Sequence, residues 1–206
     1  MKNRDYKESG TESIWHVYNR GNNKEKIFFD DQDYRAFLFR LGLCLGFTED
    51  ELNSEKFLAM PYSRIRINDM YKHDFKLHAF SLMPNHFHLL VEQVGDKKIS
   101  NLMLKLETSY ARYINKKYKR VGHLFQDQFK SVLVEDNPQL MWVSSYIHTN
   151  AVKDGLVKHP KEYKWSSYND YVFDRNLPIQ NKELLLEIFG GRKNFIEQNS
   201  YVKGAL

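Results

Sequence analysis

FKLHAFSLMPNHFHLLVEQ, residues 75–93, holds two apolar, strand-length runs on either side of Pro84-Asn85. Proline followed by asparagine signals a turn. A link this short leaves an antiparallel hairpin, with Phe75–Met83 and His86–Gln93 as its arms. Downstream, Ile99, Leu102, Met103, Leu106, Tyr110, Tyr113 and Ile114 recur at helical spacing, so a long amphipathic helix follows. Gly122 breaks it, and Leu124–Val134 reads as a strand. Asn137-Pro138 starts another helix, with a side-chain cap and then proline in the first turn, running to about Asn150. Upstream, Ile14–Arg20 alternates as a strand and Gly21-Asn22-Asn23 turns the chain. Asp30/Asp31 then cap a helix with Tyr34, Phe37, Leu38, Leu41 and Leu45 on one face.

Residues 47–73 are polar and irregular, with a short helix near Glu49–Phe57. Past Asp154-Gly155 comes a loop rich in Tyr and Trp. A polar linker from Asp174 to Gln180 then leads to short helices over Lys182–Gln198. Strand, helix, two strands, helix, strand, helix predicts an α+β fold: a ferredoxin-like sandwich with an antiparallel sheet and helices mainly on one face. The expected division is a domain over residues 1–172 and a C-terminal helical extension over 173–206.

The chain has 206 residues, 42% of them hydrophobic and 15% aromatic, too apolar for disorder. One cysteine, Cys44, excludes a disulfide framework and a Cys-rich metal site. The longest apolar runs are interrupted by Arg40, His78 or Asn85, and the N-terminus lacks a signal-peptide core, so a cytoplasmic protein without membrane spans is expected. There is no Walker loop, no G-x-G-x-x-G and no G-x-S-x-G elbow, which leaves ATP, dinucleotide and serine-hydrolase chemistry without support. The net charge is +5, and the stretch from Lys97 to Lys130 holds nine Lys/Arg against two acids, so it carries the whole excess. Tyr110, Tyr113, Tyr118, Phe125 and Phe129 are interleaved with those cations. Cations for phosphates and aromatic faces for unstacked bases suit single-stranded nucleic acid; the bland reading is a solvated helix face.

His86 and His88 lie two apart on a strand and so share a face, where both imidazoles can reach one ion. The bland alternative is two histidines lining an ordinary sheet. Tyr146 and Asn150, four apart, share a helical face beside the apolar Leu140, Val143, Ile147 and Ala151. An amide oxygen for a metal and a phenol for a substrate are thus presented together, although Tyr146 is one of 13 tyrosines, most of which serve packing. His16, His78 and His148 read as packing or surface residues, and His123 as a helix cap.

Read in order, WHVYNRGNNKEKIFF (15–29), HAFSLMPNHFHLLVE (78–92), YARYINKKYKRVGHLFQDQFKS (110–131), SYIHTNAVKDGLV (145–157) and KWSSYNDY (164–171) resemble the single-tyrosine HUH transposases, particularly their REP-associated branch. The resemblance covers roughly 14–172. It implies that His86 and His88 lie on a central strand, that Tyr146 is the catalytic tyrosine, and that Asn150 completes a site for Mg or Mn. It further implies cleavage and rejoining of single-stranded DNA, often beside a hairpin, through a 5′-phosphotyrosine. Lys105, Arg112, Lys116, Lys117 and Arg120 would serve the DNA backbone, in a monomer or a homodimer. Two positions depart from the pattern: Asn150-Ala151 replaces the usual Asn-Pro, and Gln128 stands where many relatives carry a basic residue. The rival functions are a hairpin-binding module without catalysis, and an iron or zinc enzyme using His86, His88 and Glu92.

Overall fold

The computed structural model describes residues 12–60, 74–173 and 175–200. The far part of the irregular segment, 61–73, and the last six residues of the expected extension lie outside them. Four strands, β1 (Ser13–Arg20), β2 (Phe75–Met83), β3 (His86–Gln93) and β4 (Lys130–Val134), form one antiparallel sheet in the order β2-β3-β1-β4. The helices are α1 (Asp31–Cys44), α2 (Glu49–Ser54), α3 (Ile99–Lys117), α4 (Asn137–Lys153), α5 (Tyr168–Val172), α6 (Glu183–Ile188) and α7 (Arg192–Ser200). This is the expected α+β class and ferredoxin-like topology, with the hairpin at Pro84-Asn85 where the sequence puts it.

The period of two along each strand divides the sheet into two faces. Val17, Phe80, Leu82, Phe87, Leu89 and Val91 join the α1 and α3 stripes in the larger core. Ala79 and Leu90 point the other way, into a second core with Leu140, Val143 and Ile147 of α4 and with Tyr168, Tyr171, Leu185, Phe189 and Phe195. The expectation of helices mainly on one face therefore describes α1 and α3; α4 and the C-terminal helices cover the other. The extension belongs to that second core, and its linker adds Leu177 and Ile179 to the first.

Local signals explain most boundaries. Asp30 caps α1 in a reciprocal box with Asp33. α4 is capped by Asp136 rather than Asn137, with proline in its first turn, and it runs to Lys153. α3 ends five residues before Gly122: Lys119 takes the left-handed conformation (φ 52°), and the Arg120 amide donates to the Asn115 carbonyl. β4 starts only at Lys130, because the chain from Leu124 first crosses the end of β1, pairing Phe125 with Gly21. No helix among the described residues is long and apolar enough to cross a membrane.

Candidate active site

The sheet face under α4 carries the histidine pair. Phe87 turns into the opposite core, so His86 and His88 project together beneath α4, with ring centroids 5.1 Å apart and planes at 89°. Register sets their neighbours: β1 places Tyr18 opposite His88 and His16 opposite Leu90. His16 Nε2 and His88 Nδ1 share a hydrogen bond of 2.9 Å. Burial lowers the His16 pKa to about 4. It also lowers those of His86 and His88, where the neighbouring imidazoles add to the effect on His88 and Asp154 partly opposes it on His86. All three rings are therefore neutral at pH 7, the form that ligates metals.

From α4, Asn150 brings its amide oxygen to 3.3 Å from His86 Nε2, and Asp154 follows one turn later at 3.9 Å from the same nitrogen. Asn85, from the hairpin turn, donates through Nδ2 to the Lys24 carbonyl, which aims its Oδ1 at His86 Nδ1, 2.7 Å away. That carbonyl oxygen accepts the Nδ1 proton and leaves a lone pair on Nε2. Nε2 and the Asn150 oxygen, as oriented, are then two acceptors facing each other. A cation between them satisfies both, and two neutral nitrogens with one amide oxygen are suitable donors for a divalent ion. Among the described residues no group of three His, Cys, Asp or Glu side chains gathers as a metal site, so the candidate set depends on the amide.

Tyr146 lies one turn before Asn150 on α4. Its ring stands edge-on to His88, with centroids 5.3 Å apart, and 6.0 Å from His16. Trp142 stacks on it at 5.6 Å and 12°, and Lys153 Nζ sits 4.5 Å over the same ring. Among the described residues the phenol has no hydrogen-bond partner, which leaves it open to a substrate. The structure thus brings Tyr146, His86, His88 and Asn150 together within one chain.

The basic residues are distributed differently. α3 packs through Leu102, Leu106 and Ile114 on the face away from the histidines, so its cations are across the sheet from Tyr146. Arg112 and Lys116 are exposed. Lys117 is committed to Asp30 and Asp33, each at 2.7 Å, and Arg120 lies 3.6 Å from Glu25. Lys105 is half-buried. Tyr110 is fully buried in the larger core and donates to the Ile27 carbonyl. Glu92, the carboxylate of the iron-or-zinc alternative, is held by His78 at 2.8 Å near the far end of β3. The chain's own sequence hid His16, Tyr18, Lys153 and Trp142 as site neighbours. Alternation in IWHVYNR puts His16 and Tyr18 on one face, but only pairing with β3 reveals which face.

Residues 59–150, from before β2 to Asn150, match the family model of IS200-like transposases. A Haemophilus influenzae protein named "Putative REP-associated tyrosine transposase" is 28% identical over 106 residues, covering 46% of this chain. The match spans 60% of that relative's own length. A REP-associated tyrosine transposase solved bound to a REP hairpin shares the fold: TM-score 0.57 over 86% of this chain and 90% of that one, at 15% identity. The class to which the motifs point, the IS200-like transposases, is thus met independently by a family model. The particular likeness within it is to the REP-associated tyrosine transposases.

Proposed function

We propose that this chain is a metal-dependent transposase that cleaves and rejoins single-stranded DNA, with Tyr146 as its nucleophile. The observation that carries the reading is the 5.3 Å approach of the Tyr146 ring to His88, on the face where His86 meets Asn150. His86, His88 and Asn150 would hold Mg or Mn, and His16 and Asn85 would orient the two imidazoles. When bound, such an ion polarises a phosphate and offsets its charge.

Tyr146 Oη attacks phosphorus and gives up its proton. The bond to the 3′-oxygen breaks and that oxygen takes a proton, leaving a free 3′-hydroxyl and a 5′-phosphotyrosine. One phosphodiester replaces another, so rejoining is the reverse attack by a 3′-hydroxyl and needs no nucleotide cofactor. A hairpin beside the cut is the favoured substrate, in keeping with the REP hairpin bound by the structural relative. Of the basic set, Arg112 and Lys116 are exposed, and from the far side of the sheet they would meet phosphates away from the cut.

The test mixes the full chain with Mn²⁺ and an end-labelled hairpin carrying single-stranded flanks. A covalent adduct that survives denaturation is expected, and Tyr146→Phe abolishes it. An unchanged adduct in that variant overturns the assignment and points to Tyr18, whose ring is 5.6 Å from His88. Binding without any adduct favours the module that holds a hairpin but does not cut it.

A further inference from the structure

The three tryptophans are treated very differently by the fold. Trp165 is buried at 4% exposure and Trp15 packs against the larger core, whereas Trp142 leaves 65% of its surface in water. Water is an unfavourable place for an indole, and burial of such a ring contributes a large share of any contact it makes. Trp142 is also not placed at random. It stands one helical turn before Tyr146, nearly parallel to that ring at 5.6 Å. One face of the indole is therefore backed by the phenol that the proposed reaction uses, while most of the ring stays open.

The surroundings favour an anionic strand over an apolar partner. Lys153 lies 4.5 Å over the Tyr146 ring and has no carboxylate partner among the described residues. Arg20 is exposed at the end of β1, directly opposite His86 in the strand register. Lys130 is exposed opposite Tyr18, on the edge strand of this same face. Cations around a flat, open aromatic surface are the pairing that single-stranded nucleic acid uses: phosphates meet the charges and an unstacked base covers the ring.

We infer that Trp142 is a stacking platform for an unpaired base of the DNA strand, next to the phosphate presented to Tyr146. The inference rests on the reading of Tyr146 as nucleophile and adds a binding subsite to it. Because every base has a π-face, the platform steadies the strand with little sequence preference. Stacking also fixes the neighbouring phosphate against the phenol, which is where misplacement is most costly.

The experiment needs neither metal nor cleavage. The full chain, in EDTA and low salt, is titrated with a twelve-residue oligothymidylate while tryptophan emission is followed. A fluorescein-labelled copy of the oligonucleotide reports affinity by anisotropy. Saturable quenching is expected in the wild type and is absent in Trp142→Phe, which assigns the signal to that indole. Trp142→Ala should bind about tenfold more weakly, while Trp142→Phe, which keeps a ring, stays within about threefold of the wild type. Unchanged melting temperatures show that the fold is intact. Binding with no change in emission, or equal affinity in Trp142→Ala, overturns the platform. Concentration-dependent dimers that Trp142→Ala dissolves, with no quenching by DNA, overturn it in favour of a second copy of this chain. Absence of any binding removes the DNA partner and the platform together. Quenching without a covalent adduct in the hairpin assay keeps the platform and removes the nucleophile.

Discussion

At the scale of single residues, the candidate site depends on groups that hold other groups. His16 is buried and neutral, and its contact at 2.9 Å fixes the ring of His88. Removing such an orienting partner commonly lowers metal affinity or activity by 10–100-fold. His16→Ala should therefore weaken Mn²⁺ binding, read by calorimetry, by about that factor, and binding at wild-type strength would refute the role. A different residue sets a pH dependence of stability. Burial raises the Glu107 pKa to about 7, although Asn19 Nδ2 donates to it at 2.9 Å. Between the ordinary glutamate value near 4.3 and 7, the folded chain binds more protons than the unfolded one, so this group's contribution to stability declines as pH rises through that window. Glu107→Gln keeps an oxygen for Asn19 and carries no charge. It should be more stable than wild type by about 2 kcal/mol at pH 8 and equal to it at pH 4, as urea unfolding at the two pH values can check.

At the scale of elements, the start of α1 and the end of α3 are fastened through one cluster. Asp33 is fully buried, yet it accepts from Lys117, Tyr118, Tyr113 and the Phe29 amide. Burial would lower the Lys117 pKa, but the bonds to Asp30 and Asp33 outweigh it and raise the value overall. Taking the cation away leaves a buried carboxylate without its charge partner, and breaking a buried pair is strongly destabilising. Lys117→Met should cost about 3 kcal/mol, the low end for such pairs because the lysine is partly in solvent; a shift in the urea midpoint measures it. Lys116, one residue away, is exposed, so Lys116→Ala should leave the midpoint almost unchanged. Adjacent lysines in one basic run thus have different duties.

At the scale of the whole molecule, two cores built on opposite faces of one sheet position the site, which lies on the α4 face. The larger core packs the strands against α1 and α3. The smaller one presses α4 onto the histidine face, and with it Tyr146 and Asn150. Phe195 of α7 is fully buried against Tyr168, Tyr171, Phe189 and His148. Its truncation opens a cavity under the helix that carries the phenol. Phe195→Ala should cost about 3–5 kcal/mol and should reduce adduct formation as α4 loosens. A destabilisation below about 1 kcal/mol would mean that the extension is not part of that core.

Much of the local order is legible along the chain. Period two gives the hairpin and puts His86 and His88 on one side of β3, while period 3.6 gives the α3 stripe and sets Tyr146 beside Asn150. The α1 cap is equally local, and α3 stops short of Gly122 because Lys119, a residue other than glycine, adopts the left-handed turn. These features depend only on neighbours within one element, so spacing determines them. Which elements face each other is a different matter. That α4 covers the histidine face, that His16 reaches His88, and that the basic helix lies across the sheet all follow from how two apolar faces are buried. Burial of that kind joins residues as distant as His86 and Asn150, and no spacing within either segment encodes their meeting.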